Sequence, residues 1–239
     1  MTARPLRAIS FDAAGTLFHP VRPIGELYAL VAARHGVAVD PTIVHARFRA
    51  AFHAAPPLAF PTMAATDLRA REKAWWRAIV REVFAALFSD GFDAYFDDLF
   101  AFFATTAAWR VDPDAPALLA HLQARGLRIL LVSNFDGRVR EVLAALGLLP
   151  LIDQVTISSE AGAAKPDPRI FLTALAAAGL APDEVLHVGD TVREDLAAAR
   201  AAGIDVVLVG DAELAAEAPD ATRVERLGEV HDLIAHRLG

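Results

Sequence analysis

Apolar residues collect in short runs that alternate with helical patterns. The runs at 6–11, 127–132, 154–158, 185–188 and 205–209 read as buried strands. Helical patterns occupy 115–125, 137–146, 168–178 and 192–202, and they stop at Gly126, Gly147, Gly179 and Gly203. A glycine just past the last turn is the usual left-handed stop, because it lacks the Cβ that makes this conformation costly. Strand and helix in this rhythm predict an α/β fold with a parallel sheet.

The stretch 21–108 breaks the rhythm. It offers no convincing strand and four helical segments, near 24–35, 41–54, 67–88 and 94–107. In the third, Trp76, Ile79, Val80, Val83, Phe84 and Leu87 recur at three- and four-residue spacing, so one face is apolar. Pro56, Pro57 and Pro61 mark a loop. The pattern predicts a Rossmann-like core of residues 1–19 and 110–239 and an inserted α-helical unit of residues 20–109. The linkers 18–23 and 109–113 are expected to hinge.

Ligands of open parallel sheets bind beyond the carboxyl ends of the strands. The first strand ends at Asp12, followed by Gly15 and Thr16. The second ends in "SNFD", Ser133 to Asp136. After the third comes "AAKPDPRIF" with Lys165, and the fourth ends in "GDTVRED" with Asp190 and Asp195. Carboxylates converging on one rim repel unless a cation lies among them, and oxygen-only ligands suit a hard ion such as Mg²⁺. Lys165, Ser133 and Thr16 can hold an anion beside that ion, which leaves Asp12 free to attack phosphorus.

Composition narrows the partners. The chain has 239 residues and a net charge of −7, which argues against a nucleic-acid groove. It has no cysteine, so thiolate chemistry and disulfides are excluded. No apolar stretch approaches the roughly 20 residues that span a bilayer. A cytoplasmic protein acting on a small phosphorylated metabolite, away from membranes, is the expectation; oligomeric state is not legible.

At these motifs the chain resembles the haloacid dehalogenase-like hydrolase superfamily. The resemblance runs through "FDAAGTLF", "LLVSNFD", "AAKPDPRIF" and "HVGDTVREDLAAARAAG". The insert is similar to the α-helical cap of the phosphatase-rich subgroup. "SNFD", "KPDPRIF" and the Trp75–Trp76 pair resemble the REG-2-like branch. The resemblance implies Asp12 as nucleophile and Lys165 as its catalytic partner. It implies Thr16, Ser133, Asn134 and Lys165 as phosphate contacts. It places Mg²⁺ at Asp12, the carbonyl of Ala14, Asp190 and Asp195. The family's usual phosphatases carry a second acid where Ala14 stands. Without that general acid/base, rates fall by about 10²–10⁴-fold.

Simpler roles stand beside these. Asp167 reads as an N-cap with Pro168 at the first helical position. Thr191 and Glu194 read as a T-x-x-E capping box, leaving Asp195 as the metal-side acid. Trp75 and Trp76 read as core or interface. His19 and Asp136 are the polar groups nearest the rims that would replace the missing acid, and each reads first as a bystander. Besides the phosphatase, three further functions fit less of the pattern. A haloacid dehalogenase uses the same aspartate without the paired acids Asp190 and Asp195. A phosphonate hydrolase needs a cap lysine, and Lys73 lies too far along the insert. A phosphate-metabolite binder or interaction protein is favoured by Ala14 alone.

Overall fold

A computed structural model describes residues 5–61, 65–84 and 90–238. In chain order it contains β1 (Ala8–Phe11), β2 (Phe18–Pro20), α1 (Ile24–Arg34), α2 (Pro41–Ala54), α3 (Ala65–Phe84), α4 (Phe92–Phe102), β3 (Trp109–Val111), α5 (Ala115–Ala124) and β4 (Arg128–Ser133). There follow α6 (Arg138–Ala145), β5 (Gln154–Ile157), α7 (Ser158–Ala161), α8 (Arg169–Ala178), β6 (Val185–Gly189), α9 (Ala197–Ala201), β7 (Asp205–Val209), α10 (Ala212–Glu217), β8 (Thr222–Val224) and α11 (Val230–Leu238).

Six parallel strands form the sheet in the order β5-β4-β1-β6-β7-β8. The two-residue strand period divides their side chains between two apolar layers. Ile9, Phe11, Ile129 and Leu131 enter one, with Leu119, Leu122, Val139 and Leu143 from α5 and α6. Ala8, Leu130 and Val132 enter the other, with Ile170, Phe171 and Ala174 from α8. This is the expected Rossmann-like α/β fold. Gly126, Gly147, Gly179 and Gly203 take φ of 80°, 73°, 65° and 80°, as left-handed stops should.

Strand order creates the site. β1 lies between β4 and β6, with Phe11 opposite both Leu131 and Val188. Asp12, Ser133 and Asp190 therefore leave the sheet at nearly the same level. The Asp12 amide donates to the Val188 carbonyl at 2.9 Å, which carries the pairing one residue past β1.

α1 to α4 lie between β2 and β3. α2 begins at the cap Asp40, whose Oδ1 accepts from the Thr42 amide at 2.8 Å, with Pro41 in the first turn. α3 buries Ile79, Val80, Val83 and Phe84, the apolar face expected of it. Leu87 lies outside the described residues. The two linkers pair with one another: β2 and β3 form an antiparallel ribbon with Phe18 opposite Val111, and Phe18 and Trp109 pack edge-to-face with ring centroids 5.2 Å apart. The strand count is corrected: β8 adds a sixth strand that the apolar pattern did not reveal. Among the described residues no helix is long and apolar enough to cross a membrane.

Candidate active site

Lys165 ties two strand ends together. Its Nζ donates to Asp12 Oδ1 and to Asp195 Oδ1, each at 2.6 Å. Asp12 is 7% exposed and Lys165 4% exposed. Burial raises the Asp12 carboxyl above the ordinary aspartate range, with the Lys165 charge opposing it. Burial disfavours the Lys165 ammonium too, but its two carboxylates outweigh that and raise its pKa above the usual lysine value. For Asp195, Lys165 and His187 overcome the effect of burial and hold the carboxyl well below its usual range.

Asp195 is fixed at both oxygens. Oδ2 accepts from the Thr191 hydroxyl at 2.7 Å and from the amides of Thr191 and Asp190 at 3.0 and 3.2 Å. Oδ1 is shared by Lys165 and His187 Nε2, the latter at 3.1 Å. The helix expected over 192–202 is split here into a wide π-helical turn, Val192–Leu196, and α9. The Asp195 and Leu196 amides both donate to the Thr191 carbonyl, which opens the turn. Such turns commonly occur at functional sites.

That geometry corrects the capping-box reading. Thr191 Oγ1 accepts from the Asp195 amide at 3.2 Å, and Glu194 turns away to accept from Asn134 Nδ2 at 3.2 Å. Glu194 is thereby brought to the cluster, where burial raises its pKa and the charges of Asp12 and Asp195 add to the effect. Asn134 also grips the main chain of Lys165: Nδ2 donates to its carbonyl at 2.8 Å, and Oδ1 accepts from its amide at 2.7 Å. Its side chain thus positions the lysine loop. Ser133 is buried at the end of β4.

The Asp12–Thr16 turn faces Asp190. Thr16 Oγ1 donates to Asp190 Oδ1 at 3.3 Å. Gly15 has φ 108°, and its amide donates to the Phe18 carbonyl at 2.9 Å. Burial pushes Asp190 up to about 7, with the negative charges of Asp12 and Asp195 adding to it. Ala14 lies half-buried on the same turn and brings no ionisable group.

Other candidates are held elsewhere. Asp136 is fully buried and clamps Arg138 through bonds of 2.8 and 2.6 Å, while Trp76 Nε1 donates to it at 2.6 Å. Trp76 is therefore an interface residue between α3 and the sheet domain. His19 Nε2 lies 3.1 Å from Asp112 Oδ2. Lys73 pairs with Asp97 at 2.9 Å on the helical segment. Asp167 accepts from the Arg169 amide at 3.0 Å, a local turn contact. Ser10 and His187 join the cluster without having been anticipated. A His inside an apolar run was their only signal.

The donor set can be judged for a cation. Among the described residues no group of three or more His, Cys, Asp or Glu side chains is disposed to hold one. Asp12 and Asp190 follow the paired strands β1 and β6 and lie close enough to act on one another electrostatically. Mg²⁺ is commonly held by one or two carboxylates and keeps several waters. Asp190 stands near the carboxylates Asp12 and Asp195, and its own hydrogen-bond partner, the Thr16 hydroxyl, carries no charge; carboxylate oxygens of this kind fit a hard cation. Both Asp195 oxygens are already engaged, which suits it better to orienting Lys165.

Asp12, Lys165 and Asp195 thus meet at the carboxyl edge of an open parallel sheet, the place where folds of this class bind ligands. The family model for haloacid dehalogenase-like hydrolases matches residues 6–203, and this chain belongs to that family. It is 34% identical over 212 residues to haloacid dehalogenase-like hydrolase domain-containing protein 3 of Mus musculus, covering 87% of this chain and 83% of that one. It is 40% identical over 134 residues to a phosphoserine phosphatase of Thermus thermophilus, covering 56% of this chain and 53% of that one. Among solved structures it is similar to an L-2-haloacid dehalogenase, with a TM-score of 0.74, 22% identity and coverage of 97% and 99%. It is also similar to a HAD phosphatase from Thermococcus onnurineus, with a TM-score of 0.64, 20% identity and coverage of 96% and 98%.

Proposed function

We propose that this chain is a Mg²⁺-dependent phosphatase for a small phosphorylated metabolite, working through an aspartyl-phosphate on Asp12. The observation that carries the reading is the Lys165 ammonium held 2.6 Å from both Asp12 and Asp195. Asp12 is the only carboxylate of the cluster on the Gly-Thr turn, beside Thr16. The Lys165 charge opposes the effect of burial on the Asp12 carboxyl, and its ammonium offers a further N–H to a phosphate oxygen. Ser133 and the amides of the turn supply more donors. Asp12 and Asp190, with the Ala14 carbonyl, would hold Mg²⁺. When bound, the ion neutralises charge on the phosphate oxygens. The phosphatase named among the relatives supports this reaction class.

Asp12 Oδ forms the new bond to phosphorus, and the ester oxygen leaves with the bonding pair. Water then cleaves the acyl-phosphate, releasing phosphate and regenerating Asp12. Ala14 cannot protonate the leaving oxygen or activate the water, so both steps are slowed. The helices α1 to α4 act as a cap over the rim, on the paired ribbon β2–β3.

The test is a chase with labelled phosphate ester and acid quench. Wild type should yield a hydroxylamine-sensitive acyl-phosphate, and Asp12→Asn should fold and yield none. Ala14 favours one second reading, a phosphate-metabolite binder. A protein that binds phosphate esters but never forms the acyl-phosphate would replace the first reading with the second.

A further inference from the structure

Ser10 and His187 are buried polar residues for which the reaction above has no use. They face each other in register on β1 and β6, at 1% and 0% exposure. Ser10 Oγ is 2.9 Å from His187 Nδ1. His187 Nε2 is 3.1 Å from Asp195 Oδ1, the same atom that accepts from Lys165. The imidazole and the Phe171 ring pack edge-to-face, with ring centroids 4.7 Å apart. We propose that Ser10 and His187 are positioning residues that hold Asp195, and through it Lys165, against the nucleophile Asp12.

The bonding order follows from the groups. An ionised Asp195 only accepts, so His187 Nε2 carries a hydrogen and donates. The Ser10 hydroxyl can donate or accept, so it completes Nδ1. A Ser–His pair beneath the sheet edge is not needed to fill the core. Replacing both partners of a buried hydrogen bond by apolar groups of the same shape is nearly neutral. The pair's specific effect is on charge. Asp195 Oδ1 divides its attraction between His187 and Lys165. Without the histidine, Asp195 draws the ammonium toward itself and away from Asp12. Lys165 is balanced between two equal distances, so a small displacement lengthens the bond to the nucleophile. Misplacement of a reacting group by about 1 Å can lower rate by about 10²-fold.

This inference rests on Asp12 being the nucleophile, so its test has two arms. The chain has two lysines, Lys73 and Lys165. Protein labelled with ¹⁵N-lysine therefore gives two side-chain signals, and only that of Lys165 is shielded from solvent. Wild type, His187→Leu, His187→Gln and Ser10→Ala are compared by this signal and by the single-turnover rate of acyl-phosphate formation from p-nitrophenyl phosphate with Mg²⁺. In His187→Leu the Lys165 signal should move, and the rate should fall about ten- to hundred-fold with little change in KM. His187→Gln, whose amide can donate to Asp195, should recover most of both. Ser10→Ala should fall between. An unmoved Lys165 signal with a wild-type rate in His187→Leu overturns the proposal. So does a glutamine variant no better than leucine, which would mean packing alone. If His187→Leu does not fold, Ser10→Ala and His187→Gln decide by the same criteria. A wild type that forms no acyl-phosphate overturns the nucleophile reading itself, while a moved Lys165 signal in the variants still upholds the coupling.

Discussion

Gly15 and Asp190 approach so closely that no side chain fits between them. A Cβ at position 15 would lie 2.3 Å from Asp190 Oδ2, and the glycine has φ 108°. Gly15→Ala therefore meets two penalties, about 1–2 kcal/mol for the left-handed backbone and about 1–3 kcal/mol for overpacking. The expected result is a lower urea midpoint together with loss of acyl-phosphate formation. A variant with the wild-type midpoint would mean that the turn does not press on Asp190.

Asp190 should make stability depend on pH. Its carboxyl is raised from an ordinary value of about 3.9 to about 7 in the folded protein. The neutral form is thus favoured by folding. Its contribution is full below pH ~4 and declines as pH rises through about 7, by on the order of 4 kcal/mol at most. In metal-free protein, Asp190→Asn should gain stability relative to wild type across that window and little below it. Added Mg²⁺ should stabilise wild type more at pH 8 than at pH 5. Parallel stability curves for the two proteins from pH 4 to 8 would contradict this.

Ala14→Asp should restore a proton donor and base beside Asp12. Wild type should favour aryl phosphates, whose leaving groups need no proton, and show a burst followed by a slow steady state. The variant should turn over alkyl phosphates at least about ten-fold faster and flatten the dependence on leaving group. Rapid-mixing kinetics of both forms check this. A wild type with no burst and no leaving-group preference would show that another group already supplies the proton.

Glu72 should govern how firmly the helical segment rests on the sheet domain. Its buried Oε1 accepts from the Gly137 amide at 3.0 Å and from Ser159 Oγ at 2.6 Å. Arg138 Nη1 donates back to the Phe100 carbonyl at 3.0 Å. Glu72→Ala leaves two donors without that acceptor, at about 1–3 kcal/mol for a buried group. Hydrogen exchange at Gly137 should quicken, and KM should rise more than kcat falls. Unchanged exchange at Gly137 would show that Glu72 does not hold the contact.

The alternation of strand and helix was legible in the sequence because it is local. Apolar runs, helix periods and the stops at Gly126, Gly147, Gly179 and Gly203 each depend on neighbours a few residues away. The rims bearing Asp12, Ser133, Lys165 and Asp190 were legible for the same reason, since each follows an apolar run. Which rims meet is a matter of strand order. Only the packing of β1 between β4 and β6 brings Lys165 to Asp12 across 153 residues and to Asp195 across 30. The T-x-x-E pattern at Thr191 pointed to a capping box, but long-range bonds from Lys165 and His187 to Asp195, and from Asn134 to Glu194, accompany a wider turn. Ser10 and His187 lie 177 residues apart. Locally only the histidine within an apolar run stands out, and it does not name its partner; inter-strand register decides the pairing, and the turn after β6 brings Asp195 to it.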